Sequence, residues 1–270
     1  MAKAFVIDAA KCSGCYNCQI ACKDEHVGND WMPYAKPQPE IGQFWLRVEE
    51  RVQGTIPKVK LSYIPRLCNH CEKAACMEVC PEGAIYRRDD GFVLIHPEKC
   101  TGCGKCRTAC PYGVIYMNAE LHIAQKCTGC AHLLDNGAKL PRCVEACPTE
   151  AIRFGEEEDL ADDIEGASVL MPETGLRPRV YYRNIPGAFI AGTLYDPESK
   201  EIIEGARCIL ANGGKNWEAV TDSFGDFWFR DLPAGVYELL IQAKGYEYRR
   251  IDGIRNKKSV NLGDIPLKRT

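Results

Sequence analysis

The sequence lacks several features that would assign it to a familiar class. Its 270 residues contain no apolar run near the roughly 18 residues that a membrane-spanning helix needs, so we expect no direct membrane insertion. The first residues lack the apolar stretch of a secretory signal, which predicts a cytoplasmic protein unless a signal-bearing partner carries it to the periplasm. Lysine and arginine (34) do not outnumber aspartate and glutamate (37), which argues against nucleic-acid binding.

Catalytic motifs are also missing. The sequence contains no dinucleotide fingerprint, no phosphate-binding glycine loop and no Ser-His-Asp grouping. The five histidines are scattered, and we interpret each as structural or as a hydrogen-bond donor near a metal site. They are His26, His70, His96, His122 and His132. We therefore predict no catalytic residue in this chain and no enzyme activity of its own.

Cysteine is the abundant residue. Sixteen of the 17 cysteines lie between Cys12 and Cys147, and without an export signal metal ligation is favoured over disulfides. They form four groups of four, and the first and third groups have the spacing C-x2-C-x2-C-x3-C that is typical of [4Fe-4S] ferredoxins. Zinc ribbons use two separated pairs instead. Pro81, Pro111 and Pro148, each after the last cysteine of its group, also favour clusters.

The ligand pairing follows from the order of these quartets. Quartets two and three are separated by one predicted hairpin with a turn at Asp89-Asp90-Gly91, which favours exchange of Cys80 and Cys110 between them. Quartets one and four then exchange Cys22 and Cys147. The in-order alternative, which pairs one with two and three with four, needs exchange across residues 23–67. The nested sites are Cys12, Cys15, Cys18 and Cys147; Cys127, Cys130, Cys143 and Cys22; Cys68, Cys71, Cys76 and Cys110; and Cys100, Cys103, Cys106 and Cys80.

Four thiolates per cluster leave no iron with an open position, so the sequence predicts an electron relay through four [4Fe-4S] clusters, with iron as the metal. A cation stands within two positions before each quartet. These cations are Lys11, Arg66, Lys99 and Lys126. Each either raises the potential of the nearby cluster or is an ordinary solvated charge, and the second interpretation is favoured.

The predicted fold class is α+β. Residues 1–155 are expected to form two ferredoxin-like 2[4Fe-4S] modules, with an insertion at 23–67 that covers the clusters or docks a partner. The acidic, Pro/Gly-punctuated segment 156–185 is expected to be a linker that packs on the cluster domain. Short alternating runs between turn signals predict an immunoglobulin-like β-sandwich over 186–270. Cys208 lies in one of these runs and is expected to be a small buried apolar residue.

The quartet spacings resemble those of the four-cluster iron–sulfur subunits of molybdopterin oxidoreductases, the dimethyl sulfoxide reductase superfamily. In that family the pairing is nested. Four segments of the tail resemble a carboxypeptidase-regulatory-like, or transthyretin-like, domain: 205–208, 221–227, 232–237 and 243–246. That combination is similar to the branch with the small subunits of pyrogallol–phloroglucinol transhydroxylase and related phenol hydroxylases and dehydroxylases.

The resemblance implies an electron-transfer subunit in a heterodimer from anaerobic metabolism. The partner is a large catalytic subunit with a molybdenum or tungsten bis-pterin cofactor, acting on polyhydroxylated aromatics, and a soluble electron carrier is a candidate second partner. Two other functions stay open. One is the electron-transfer subunit of a respiratory reductase of the same superfamily, and the other is a stand-alone polyferredoxin.

Overall fold

A computed structural model describes residues 2–270, which divide by internal packing into two units. The first unit contains the chain up to Glu50 together with Ser62–Ile185, and the second contains Arg51–Leu61 together with Pro186–Thr270. The strands before Pro186 are β1 (Lys3–Asp8), β2 (Arg47–Thr55), β3 (Lys58–Arg66), β4 (Ile85–Arg87), β5 (Val93–Ile95), β6 (Tyr116–Asn118), β7 (Ile123–Gln125), β8 (Ile152–Glu156) and β9 (Val180–Arg183). The α-helices are α1 (Asn17–His26), α2 (Ala75–Glu78), α3 (Lys105–Ala109), α4 (Ala131–Asp135), α5 (Arg142–Glu145) and α6 (Ala161–Ile164).

A three-stranded sheet in the order β8-β1-β9 joins distant parts of the first unit. β1 is antiparallel to β8, with Lys3 opposite Glu156, and parallel to β9, with Phe5 opposite Val180. Phe5 belongs to the main core of the unit, whereas Val6 packs on the other face of the sheet against Leu160. Because both faces of β1 are covered, it is apolar throughout its middle. The sheet brings the start of the first quartet close to the end of the fourth.

Two short hairpins repeat one plan, the first after the second quartet and the second after the third. β4 pairs with β5, with Ile85 opposite Ile95, and β6 pairs with β7, with Tyr116 opposite Gln125. Each strand is only three residues long. Side-chain packing therefore stabilises the hairpins more than the hydrogen bonds between their strands do. Phe92, directly before the second strand of the first hairpin, is fully buried and stacks on Phe5 with ring centroids 5.8 Å apart.

The second unit is an all-β sandwich. Its strands are β10 (Ala188–Tyr195), β11 (Arg207–Asn212), β12 (Lys215–Val220), β13 (Asp226–Leu232), β14 (Val236–Gln242), β15 (Arg249–Arg255) and β16 (Val260–Pro266). One sheet has the order β13-β10-β16 and the other β12-β11-β14-β15. Inward side chains of both sheets share one apolar core that includes Ile190, Phe227 and Leu239. Cys208 is in this core and fully buried, as its position in an alternating run predicts.

The middle of the β2–β3 hairpin packs with the sandwich. Lys58 forms a buried ion pair with Asp226 of β13, and Gln53 Nε2 donates to the carbonyl of Gly187 at 3.1 Å. The hairpin lies inside the segment 23–67 that the sequence marks as an insertion, so this segment contributes to both units. Within residues 2–270, no helix is both long and apolar enough to cross a membrane.

Candidate metal centres

Each quartet begins with a turn in which the residue before the second cysteine has a left-handed backbone. Three of these residues are glycines: Gly14 (φ 71°), Gly102 (φ 71°) and Gly129 (φ 66°). A Cβ atom at Gly102 would lie 2.2 Å from the His122 carbonyl oxygen, and one at Gly129 would lie 2.1 Å from the Phe92 ring. The fourth equivalent is His70, with φ 43°, a conformation that costs a non-glycine residue energy. The close approach of a neighbour therefore explains the glycines but not His70.

The sixteen cysteines come together in four groups, numbered here as sites. In site 1, the Cys18 thiol interacts electrostatically with Cys12, Cys15 and Cys147. In site 2, Cys143 interacts with Cys130, Cys22 and Cys127. The helices α1 and α5, which contain Cys22 and Cys143, pack against each other. Each of these two sites therefore combines cysteines from the first and the fourth quartet.

The two inner quartets also exchange one member. In site 3, Cys71 interacts with Cys68, Cys76 and Cys110, and the four line one cavity. In site 4, Cys80 lines a second cavity with Cys100, Cys103 and Cys106. Within the described residues 2–270, no three His, Cys, Asp or Glu side chains converge as a single ion requires. A cubane takes one thiolate on each of four irons, so its ligand sulfurs surround a cavity and do not meet at a point.

The four sites differ in depth. All members of site 2 are buried, whereas site 1 contains the exposed Cys15 and site 4 the exposed Cys103. Site 3 is intermediate, with Cys68 buried and the others half-buried. This ordering matters because solvent access is one of the quantities that set a cluster's potential and its exposure to oxidants.

The electrostatics of the thiols fit a cationic group. Burial, followed by the neighbouring sulfurs, raises the pKa of Cys18 and of Cys71 to about 12. Because the thiolate is the form that binds metal, four buried thiolates need compensating positive charge, which iron supplies. Backbone amides add hydrogen bonds to sulfur at 3.3 Å in three sites: Ala124 N to Cys100, Gly129 N to Cys127 and Ala151 N to Cys147. The residues present therefore fit iron–sulfur clusters.

Of the four cations that precede the quartets, one is buried. Lys11 and Lys99 are exposed, and Arg66 pairs with Glu49 at 3.4 Å. Lys126 is only 3% exposed, and its ammonium donates to the carbonyl oxygens of Val93 and Cys127. Burial lowers its pKa, but the nearby sulfurs of Cys68, Cys76 and Cys127 outweigh burial and raise it. The solvated-charge interpretation therefore fits Lys11 and Lys99 and is wrong for Lys126.

Three of the histidines are buried in the first unit. His132 Nε2 lies 2.9 Å from Glu25 Oε1, and its ring stacks on Trp31 with centroids 4.4 Å apart. His26 packs on Trp45, and burial lowers its pKa to about 3, so the ring is neutral. His70 lies inside the site 3 turn and lines its cavity. From the sequence, His70 stands inside Cys68-x2-Cys71, and because that quartet already has four cysteines it is interpreted like the other histidines, as structural or as a hydrogen-bond donor. Its position where the other three quartets have glycine is a further signal in the sequence.

Known families match three parts of the chain. The family of 4Fe-4S dicluster domains matches residues 59–157, and that of 4Fe-4S binding domains matches residues 9–28. The family of carboxypeptidase regulatory-like domains matches residues 190–268. With the four cysteine sites, these matches define an iron–sulfur protein of the [4Fe-4S] class that also carries a regulatory-like sandwich. The cofactor prediction is thereby confirmed.

Individual relatives place the chain more narrowly. It is 42% identical to the pyrogallol hydroxytransferase small subunit of Pelobacter acidigallici, over 97% of this chain and 98% of that protein. It is 34% identical to the arsenate respiratory reductase iron–sulfur subunit of Shewanella sp. strain ANA-3, over 66% and 94% of the two chains. It is 36% identical to the B subunit of the anaerobic dimethyl sulfoxide reductase of Escherichia coli K12, over 58% and 74%. The chain belongs to the family of iron–sulfur electron-transfer subunits of molybdopterin oxidoreductases.

Proposed function

We propose that this chain is the electron-transfer subunit of a heterodimer whose large subunit carries a molybdenum or tungsten bis-pterin cofactor and acts on polyhydroxylated aromatic compounds. The substrate class is supported by the share of the chain that aligns with one relative. The pyrogallol hydroxytransferase small subunit aligns with 97% of the chain, whereas the two respiratory subunits align with 66% and 58%. The carboxypeptidase regulatory-like domain occupies residues 190–268. Similarity to the pyrogallol hydroxytransferase small subunit therefore extends over both the cluster domain and this domain, and we favour a partner subunit that acts on aromatic compounds over a respiratory one.

The ligand assignment is the nested one: each of sites 1 to 4 holds one cluster. Its support is the electrostatic contact of Cys18 with Cys147 and of Cys143 with Cys22, together with the cavity that Cys110 shares with the second quartet. When bound, each cluster supplies a one-electron couple. The chain contributes four thiolates per cluster and amide donors to several sulfurs, so it stores and passes electrons and leaves the reaction on the substrate to the large subunit.

In this proposal each part of the chain has a separate role. Residues 1–155 hold the clusters, residues 156–185 add β9 to the sheet of the cluster domain, and residues 186–270 form a partner-binding or spacing module. We place the complex in the cytoplasm, with a soluble carrier exchanging electrons at an exposed site. Cys15 and Cys103 mark the two sites with a solvent-accessible ligand, and one of them suits the carrier.

The test is anaerobic purification of the native complex through a tag on this chain, with iron, molybdenum, tungsten and zinc quantified. We expect about sixteen irons, four per cubane, and a large co-purifying chain with molybdenum or tungsten. The complex should then turn over polyhydroxylated phenols.

Other outcomes would redirect the proposal. Iron without a pterin metal or a partner would indicate a stand-alone polyferredoxin. A co-purifying membrane subunit would favour a respiratory reductase. Zinc in place of iron would contradict the cluster assignment altogether.

A further inference from the structure

Site 3 contains a residue whose backbone is strained. His70 has φ 43° at the position where the other three quartets have glycine, and its side chain is fully buried. A non-glycine residue in this region persists only when its side chain has compensating interactions or a function. The His70 ring stacks on Phe92 with centroids 4.3 Å apart, which accounts for its orientation.

The hydrogen bonds of His70 fix which ring nitrogen carries the proton. Its Nδ1 accepts a hydrogen bond from the Val93 amide at 3.2 Å, so the proton of the neutral ring is on Nε2. Nε2 is buried and has no protein partner. Buried donors are almost always satisfied, so the Nε2–H group of His70 requires an acceptor that is not a protein atom.

Two further polar side chains line the same cavity. Asn69, which is 1% exposed, has no partner for either side-chain polar atom. Tyr112, which is 4% exposed, places its hydroxyl beside Thr174 and beside the Cys71 sulfur, to which it can donate. Both residues and His70 line the cavity that the four site 3 cysteines surround. A cluster in this cavity offers sulfur acceptors to all three.

Lys126 adds a full positive charge. Its ammonium is anchored on two carbonyl oxygens and lies against Cys68 of site 3, with Cys76 of site 3 and Cys127 of site 2 also in electrostatic range. Because Lys126 is buried, water and salt screen its charge little. The corresponding cation of site 4, Lys99, is exposed, and the cavity of site 4 is lined by the acidic Glu82.

We propose that site 3 has the highest reduction potential of the four, so that an electron entering the relay rests there. Reduction adds one electron and no other atom, and the extra negative charge is stabilised by Lys126 and by the donors on His70, Asn69 and Tyr112. These four are positioning residues, since none of them is a ligand. The inference rests on the proposed ligand set of site 3.

The experiment is a redox titration of the purified complex followed by electron paramagnetic resonance. In Lys126→Met we expect the highest of the four potentials to fall. At a fixed ambient potential near the midpoint, the ratio of reduced to oxidised cluster should drop at least tenfold, which is 59 mV for a one-electron couple. Tyr112→Phe, which removes only a hydroxyl, should move the same signal in the same direction by less.

Two controls separate charge from structure. Lys126→Arg keeps the charge and should retain most of the potential. Lys99→Met removes an exposed cation one residue before a quartet and should shift the four signals far less than Lys126→Met does. Iron content is measured for every variant. About sixteen irons with four signals in the parent complex support the presence of four clusters independently of any potential.

Several results would overturn the inference while leaving the proposed function intact. Unchanged potentials in an iron-replete Lys126→Met complex would assign Lys126 a purely structural role. Movement of a signal other than the highest, or of different signals by Lys126→Met and Tyr112→Phe, would also refute it. If Lys126→Met does not assemble, Tyr112→Phe decides alone.

Discussion

Sites 3 and 4 come from two quartets that are related by a repeat, yet their surroundings differ. Each quartet is followed by a short hairpin, β4–β5 after the second and β6–β7 after the third. Site 3 is lined by amide, imidazole and phenol groups and has a buried lysine, whereas site 4 has an exposed Cys103 and a lining glutamate. Cysteine spacing therefore determines what each site binds, and the packing of neighbouring residues determines its electrostatic environment.

The largest expected effect is the loss of one cluster, which tests whether the two sites exchange ligands. In Cys110→Ser we expect about four of sixteen irons to be lost or labile, together with the resonance that Cys71→Ser also removes. Cys208→Ala, in the sandwich core, should keep the iron content of the parent. Loss of the Cys103→Ser resonance in Cys110→Ser would instead show that each quartet binds its own cluster.

The next largest effect is a difference in the rates at which the four sites lose iron. Sites 1 and 4 have an exposed ligand, so an oxidant and a ferrous chelator should remove their iron first from the isolated chain, followed by site 3 and then the fully buried site 2. Stopped-flow absorbance with chelated iron as the readout should resolve at least two phases, the faster with about half of the iron. One single-exponential phase for all of the iron would show that depth does not control access.

A matched pair of glycines tests the turn of the third quartet. Gly102 (φ 71°) and Gly104 (φ 73°) share a backbone conformation that costs an alanine about 1–2 kcal/mol. Only at Gly102 would the new Cβ meet another atom, the His122 carbonyl oxygen at 2.2 Å. Gly102→Ala should therefore lower the denaturant midpoint of iron release clearly more than Gly104→Ala. Equal midpoints would show that the turn moves away from residue 122 at little cost.

The smallest effect concerns the surface charges of the third quartet. Lys105 and Arg107 are exposed, so the double variant Lys105→Gln/Arg107→Gln should shift the potential of site 4 only slightly at low salt. At about 1 M salt the Debye length is near 3 Å, and the shift should vanish. The shift caused by Lys126→Met should persist in the same buffer. A salt-independent shift in the surface variant would mean that these cations are less solvated than the structure indicates.

Much of the candidate site could be predicted because the information is local. The spacing of three cysteines within seven residues and the turn at Asp89-Asp90-Gly91 predict the clusters and the first hairpin, which the structure forms as β4 and β5. The run Arg179-Val180-Tyr181-Tyr182 in the segment expected to pack on the cluster domain also predicts a strand, which the structure forms as β9. The regular turns after Pro186 predict the sandwich, because short strands with one buried face leave a period-2 pattern.

The remaining features depend on tertiary packing. Lys99 and Lys126 each stand directly before a quartet, and nothing local distinguishes them, yet one is exposed and the other is held by the Val93 carbonyl. In the same way, the strand-like run Phe44–Val48 indicates a strand in the 23–67 segment. It does not indicate that Lys58, in the β2–β3 hairpin, forms an ion pair with Asp226. Such long-range partners cannot be obtained from a local pattern.

The sheet β8-β1-β9 has a consequence for synthesis on the ribosome. β1 ends at Asp8 and its antiparallel partner begins at Ile152, so at about 5–20 residues per second it waits roughly 7–30 s for that partner. During this time a strand with the apolar run Ala4–Ile7 stays unpaired and is open to aggregation. The stretch from Cys68 to Cys110 leaves the ribosome earlier and contains every cysteine of sites 3 and 4. Cluster loading can therefore start in the middle of the nascent chain, and the outer pair of sites closes last, when the early strand is finally covered.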